Sequence, residues 1–259
     1  MTKRVLLLSG TSEGPPLARA LLEAGFAVRA TVTRAEACST LFGALVGAVT
    51  VEARGFTEEG LSEFLAQGEA DVVLDATHPF AVRITRLAHA VCGRLGVPFV
   101  RYERPDWEPP AGTRQVASFV EAAALLPSLG RRVLLTIGAK QLKHFAPLQD
   151  RQVLIARILP CVASLQQALA AGFTPDRLLC LRPPFSQEFN RALLREYRAE
   201  VLLTKASGRE GGVVEKVLAA HELEIEVVMI RRPATSDIPC VGTREAAVQA
   251  CREKTGVRP

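Results

Sequence analysis

The chain has 259 residues, 48% apolar and 23% charged, enough for one large or two smaller packed domains. Lys and Arg exceed Asp and Glu by 32 to 27, with no block of five like charges, and aromatic residues make up only 5%. These features exclude a basic nucleic-acid tail and a base-stacking platform, so no nucleic-acid partner is expected.

No apolar run approaches the roughly 18 residues that cross a bilayer, so neither a membrane partner nor a signal peptide is expected. The six cysteines form no CxxC pair and no metal-ligand spacing. They read as free thiols in a reducing compartment, which makes the expected location cytoplasmic and the expected metal none.

The first element is the apolar run Val5–Leu8, a buried strand. The chain then turns through Ser9-Gly10-Thr11-Ser12 into a helix with Leu17, Ala18, Leu21 and Leu22 at helical spacing. Ser12 is the expected N-cap, and Pro15 and Pro16 fall in the first turn. A strand running through small residues into a helix start aims free N–H groups and the helix dipole at one point. Thr11, Ser12, Glu13 and Gly14 are the candidate anion donors. The dinucleotide fingerprint G-x-G-x-x-G is not met, because Ser12 and Pro15 stand at its second and third glycines.

Ala27–Val32 is the second strand, followed by Thr33 and Arg34. In a dinucleotide fold this strand end meets the adenosine ribose. No acid stands there to select a free 2′-hydroxyl, and Arg34 can pair with a 2′-phosphate. The other reading of Arg34 is a solvated arginine at a strand end. Strands at Ala48–Glu52, Asp71–Leu74 and Val97–Arg101 alternate with helices at Thr57–Ala66 and Ala81–Leu95, the rhythm of a doubly wound parallel sheet. The loop Asp75-Ala76-Thr77-His78-Pro79-Phe80 lies at a strand's carboxyl end, where open α/β sheets place ligands.

Residues 102–113, with three prolines, a glycine and the only tryptophan, break the rhythm. The expected organisation is an N-terminal dinucleotide-binding domain over 1–104, a linker over 105–113 and a C-terminal α/β domain over 114–259. Trp107 is expected to plug a domain interface. In the second half, strands end at Lys140, Arg182 and Lys205-Ala206-Ser207, and Gly208, Gly211 and Gly212 precede a helix from about Val213 to His221. Several cations at one sheet edge suit carboxylates or phosphates, and the glycines form a second candidate anion loop. His89, His144 and His221 lie on helices without a partner pattern. No G-x-S-x-G elbow, HExxH or Walker loop occurs, so a bound cofactor has to carry any chemistry.

The motifs SGTSEG, LDATHPFA, TIGAKQL, LRPPFS and TKASGREGG, in this order between residues 9 and 212, resemble the precorrin-6A reductase family of cobalamin biosynthesis. The resemblance implies two Rossmann-like α/β domains with mainly parallel sheets and an active site in the interdomain cleft. It implies an oxidoreductase that reduces one double bond of a carboxylate-rich tetrapyrrole with a nicotinamide nucleotide. Gly10, Thr11 and Ser12 match the family's first turn and would contact cofactor phosphates. Thr77 and His78 match its THPF loop and would lie near the nicotinamide.

Lys140, Arg182, Lys205, Ser207, Gly211 and Gly212 match motifs of the second half and would face the macrocycle or clamp the cofactor. Ser9 departs from the glycine of many relatives. His78, Lys205 and solvent are the alternatives for the proton donor. Arg34 favours NADPH, and with it the metal-free precorrin-6A as substrate. A cobalt-precorrin-6A reductase using NADH, a non-redox nucleotide- or sugar-phosphate-binding protein and a tetrapyrrole carrier remain the alternatives. Transient contact with neighbouring pathway enzymes is also expected.

Overall fold

The computed structural model describes residues 2–235 and 237–257; of residue 210 it describes the backbone alone. The chain divides into two compact units, Met1–Pro105 with Ala234–Pro259, and Asp106–Pro233.

The first unit alternates strands and helices: β1 (Arg4–Leu8), α1 (Gly14–Glu23), β2 (Ala27–Val32), α2 (Ala35–Phe42), β3 (Thr50–Ala53), α3 (Glu58–Ala66), β4 (Val72–Asp75), α4 (Val82–Leu95) and β5 (Phe99–Tyr102). The second unit holds β6 (Arg114–Val116), α5 (Phe119–Leu125), β7 (Arg132–Leu135), β8 (Val153–Ile158), α6 (Val162–Ala170), β9 (Leu178–Cys180), α7 (Gln187–Glu196), β10 (Val201–Lys205), α8 (Val213–Glu222) and β11 (Glu226–Ile230). The chain then returns to the first unit as β12 (Cys240–Val241) and α9 (Arg244–Thr255).

Each unit carries a six-stranded sheet, and all ten recorded strand pairings are parallel. The orders are β12-β5-β4-β1-β2-β3 and β6-β11-β10-β7-β8-β9. In the first, the chain steps outward from β1 through β2 to β3, then reverses to β4 on the other side of β1. In the second it does the same from β7, reversing to β10. Each sheet therefore has a topological switch point, between β1 and β4 and between β7 and β10, where such folds bind ligands at the strands' carboxyl ends.

The pleat explains the continuous apolar runs. Val5 and Leu7 face a core formed with Leu17, Ala18 and Leu21 of α1 and with Ala247, Val248 and Cys251 of α9. Leu6 and Leu8 point the other way, onto Leu61, Phe64 and Leu65 of α3 and onto Ala88, Val91 and Cys92 of α4. With both faces covered, no position in β1 beyond its first residue is left for a polar side chain. In the second unit, Leu134, Ile155, Leu202, Val227 and Met229 pack against Leu194 of α7 and against Val213, Val217 and Ala220 of α8.

Thr57, Ser118, Ser186 and Thr243 cap their helices by accepting the backbone N–H three residues on.

Several expectations need correction. The final strand and helix belong to the first unit, not to a domain running from 114 to 259: β12 pairs with β5, and α9 packs on α1. Helix α2 and the short edge strands β6 and β12 are additional to the sequence expectation. Ser12 is not the cap of α1, which starts at Gly14 with Glu13 in the N-cap position and no side-chain cap bond. Trp107 packs on the second unit's own core. No helix among the described residues is long and apolar enough to cross a membrane.

Candidate functional site

At the first switch point, β1 leads into the loop of Ser9–Glu13. The amide of Ser9 still belongs to the sheet, donating to Thr31 O at 2.9 Å. The next four amides, of Gly10, Thr11, Ser12 and Glu13, have no intrachain acceptor among the described residues. They sit at the positive end of α1. A Cβ built on Gly10 meets nothing within 4 Å, so the loop's outer face is open. On Gly14 the same atom would fall 2.0 Å from Ser9 Oγ and 2.9 Å from Phe42 Cζ. Glycine at 14 therefore lets the helix start close against the strand end, the third of the three glycine roles in the dinucleotide fold.

The neighbouring loop after β4 converges on this turn. Thr11, Glu13, Ala76, Thr77, His78, Pro79, Tyr102, Glu103 and Arg104 line one narrow cavity of about 10 Å³, room for about one water. The expected residues Thr11, Glu13, Thr77 and His78 are thus brought together. The His78 loop is braced from beneath. Asp75 Oδ1 accepts the Thr77 N–H at 2.9 Å. Arg101 donates to Thr77 O at 3.1 Å and Thr77 Oγ1 at 3.3 Å, and pairs with Asp75 Oδ2 and Glu103 Oε2, each at 3.1 Å. His78 Nδ1 accepts the Phe80 N–H at 3.1 Å, which leaves the ring proton on Nε2 in the neutral form.

The Glu13 carboxylate is buried against the Arg104 guanidinium, so the acid nearest the free amides is neutralised by a partner of its own. Thr33 and Arg34 follow β2, next to β1 in the sheet; Thr33 is exposed and Arg34 half-buried.

In the second unit Lys140 follows β7 and is exposed, while Lys205 ends the adjacent β10 and is half-buried. Arg182 is exposed and follows β9, two strands further out. Ser207 is buried, and its Oγ donates to Gly211 O at 3.4 Å. The glycine loop differs from the expected cradle. Gly211 N–H donates to Gly208 O at 3.0 Å and Gly212 N–H to Arg209 O at 2.8 Å, so neither amide is open to an anion. Gly212 takes φ +62°, a left-handed conformation in which glycine carries no Cβ strain.

Two charged residues that the sequence reading passed over lie buried in this unit. Arg157, on β8, donates Nη1 to Asn190 Oδ1 at 2.8 Å and stacks 4.4 Å over the Phe185 ring. Lys216, in the first turn of α8, is 7% exposed. Burial pushes Lys216 down to about 7, helped by the charges of Arg157 and Lys205 and opposed by Glu215. Burial likewise brings Lys205 down to about 8 and Arg157 to about 10. The signal for Arg157 was present in VLIARI, a charge within an apolar strand.

The other histidines are satisfied locally. His221 Nε2 lies 2.9 Å from Thr113 Oγ1, and His144 and His89 pack on Phe119 and Phe99. The six cysteines form no disulfide.

The model of the family described as "Precorrin-6x reductase CbiJ/CobK" matches residues 4–252. The chain is 38% identical over 234 residues to the cobalt-precorrin-6A reductase of Synechocystis sp., covering 89% of each chain. It is 40% identical over 239 residues to the precorrin-6A reductase of Rhodococcus erythropolis, again covering 89% of each. The solved structure of "CobK precorrin-6A reductase" superposes with a TM-score of 0.80 at 29% identity, covering 100% of this chain and 99% of that one. With that match along almost the whole length, the chain belongs to the precorrin-6x reductase CbiJ/CobK family.

Proposed function

We propose that this chain reduces one carbon–carbon double bond of precorrin-6A with NADPH, giving the dihydro product precorrin-6B. The observation that supports the cofactor part most directly is the run of four open amides, Gly10–Glu13, at the head of α1. Such a run fits pyrophosphate oxygens without a side-chain cation. Thr33 and Arg34 follow the adjacent strand, whose end meets the adenosine ribose in a dinucleotide fold, and neither is an acid that would select a free 2′-hydroxyl. Arg34 is the reason to name NADPH over NADH.

When bound, the reduced nicotinamide supplies the hydride. The residues of this chain bind and orient. Thr77 and His78, braced by Asp75 and Arg101, border the nicotinamide end of the nucleotide. Lys140, Arg182 and Lys205 offer cations to the carboxylates of the tetrapyrrole. Ser207, Gly211 and Gly212 shape the loop that presents Lys205. His78 in its protonated form and the Lys205 ammonium are this chain's own groups for delivering a proton beside the carbon that receives hydride, with solvent as the alternative source.

A second reading, cobalt-precorrin-6A with NADH, is favoured by the cobalt-precorrin-6A reductase name of the Synechocystis relative, 38% identical. Anaerobic mixing of the purified protein with precorrin-6A and either nucleotide separates the readings. Consumption of NADPH in step with loss of precorrin-6A, and slower reaction with NADH, is the expected result. No nucleotide oxidation overturns the reductase assignment. Turnover only with the cobalt form and NADH replaces the first reading by the second.

A further inference from the structure

We propose that Lys216 and Arg157 form, with Lys205, an anion subsite at the carboxyl edge of the second sheet that takes a carboxylate of the macrocycle. This rests on the reading of the chain as a precorrin-6A reductase.

Three cations stand on neighbouring elements: Arg157 on β8, Lys205 at the end of β10, and Lys216 in the first turn of α8, between Val213 and Val217, which pack in one cluster with Ile155 of β8 and Leu202 of β10. Arg157 shares a sheet face with Ile155, two residues before it in the strand, which packs toward α7 and α8. Its guanidinium is clamped by Asn190 of α7 and by the Phe185 ring, and Asn190 is itself fixed by donating Nδ2 to Ser186 O at 2.8 Å. That clamp engages one N–H of the guanidinium by hydrogen bonding.

Among the described residues, no carboxylate forms an ion pair with Arg157 or Lys216, and Lys216 Nζ has no hydrogen-bond acceptor. Burying an ammonium without a partner is costly, and like charges nearby raise that cost. The dipole of α8 adds to it, because a cation in a first turn faces the positive helix end. The charges acting on Lys216 are Arg157, Lys205 and, weakly opposing, Glu215 on its own helix; Asn190 is neutral.

Among the described residues, Glu215 is the acid whose charge acts against the cost at Lys216, and it forms no ion pair with Lys216. A bound anion would offset that cost, and the arrangement lies on the sheet edge where ligands of this fold class sit. Lys216 is thus a buried cation without an ion-pair partner among the described residues, and its protonated form is favoured when a carboxylate arrives. Binding takes up a proton near neutral pH. The anion chemistry is shared with the phosphates of the nucleotide, so the test has an arm for each.

The experiment measures wild type, Lys216→Met and Lys216→Arg. Precorrin-6A is titrated spectrophotometrically in the absence of nucleotide, NADP⁺ is titrated separately, and melting is followed without ligand. In wild type, tetrapyrrole affinity should fall as pH rises through 7 to 8. Lys216→Met should bind precorrin-6A roughly 10- to 150-fold more weakly, as expected for one lost charge-assisted bond, and lose most of that pH dependence. It should bind NADP⁺ normally and melt at the same or a higher temperature. Lys216→Arg should restore most of the affinity.

Wild-type affinity and pH profile in Lys216→Met would overturn the proposal. So would a loss confined to NADP⁺, which assigns the anion to the nucleotide. A Lys216→Met protein that unfolds also overturns it, because Lys216 would then be structurally required. Failure of wild type to bind or reduce precorrin-6A instead overturns the functional reading beneath it.

Discussion

Arg101 Nη1 lies 3.1 Å from Asp75 Oδ2, with the two side chains 2% and 0% exposed. The pair sits directly under the loop that carries Thr77 and His78, and both partners bond that loop's backbone. A buried ion pair is weak evidence of net stabilisation, but breaking one strands a charge. We expect Arg101→Met to lower unfolding free energy by about 3–5 kcal/mol, read by urea denaturation. The double variant Arg101→Met, Asp75→Leu should recover part of that loss. Equal loss in single and double variants would contradict the pairing.

Gly14 and Gly10 serve the same turn for different reasons, and their substitutions should separate. Gly14→Ala drives a methyl into Ser9 Oγ and Phe42. It should destabilise the fold by about 1–3 kcal/mol, as overpacking does, and Ser9→Ala should relieve part of it. A Cβ at Gly10 meets no atom within 4 Å, but Gly10 takes φ +157°, where a side chain strains the backbone. Gly10→Ala should therefore lower the melting temperature through strain that Ser9→Ala does not relieve, and raise the KM for nucleotide. Relief of the Gly10→Ala loss by Ser9→Ala would contradict this division.

Arg34→Ala should raise the KM for NADPH by roughly 10- to 150-fold, the loss of one charge-assisted contact, and leave that for NADH nearly unchanged. Initial-rate kinetics with both nucleotides measure it. An undiminished preference for NADPH would remove Arg34 from the 2′-phosphate.

The depressed lysines carry a pH signature in stability. Lys216 is held at about 7 and Lys205 at about 8, below the ordinary 10.5. Between those values and 10.5 the unfolded chain binds more protons than the folded one. Their contribution to stability therefore rises with pH across about 7 to 10.5. Urea denaturation at pH 7 and pH 9 should show wild type gaining on Lys216→Met. Parallel profiles for the two proteins would contradict the buried charge at Lys216.

The sequence made the central strands plain because both faces of a doubly wound sheet are covered, so β1, β4 and β10 each contain an apolar run, Val5–Leu8, Val72–Leu74 and Val201–Leu203. It also marked the loops at both switch points, since small and polar residues follow those runs directly. What stayed hidden was non-local. β6 and β12 are three and two residues long at sheet edges, too short and too exposed to carry a hydrophobic pattern. The return of the chain to the first unit at Ala234 has no compositional mark that separates it from an ordinary strand-to-helix loop. The glycines at 208–212 read as donors, yet the loop folds on itself and uses two of their amides. Arg157 stands within the apolar strand VLIARI and was passed over, and Lys216 carries no such mark because local sequence does not show which helix will cover a strand.

The most direct test of the account follows the hydrogen itself. Wild-type protein is incubated anaerobically with precorrin-6A and NADPH stereospecifically deuterated at C4 on either face, and the product is analysed by mass spectrometry and NMR. The account predicts a product gaining one hydrogen pair, with deuterium on a ring carbon from one of the two labelled nucleotides and the second hydrogen from solvent. A reduced product without label from either nucleotide, or an unreduced macrocycle that is merely bound, would contradict it.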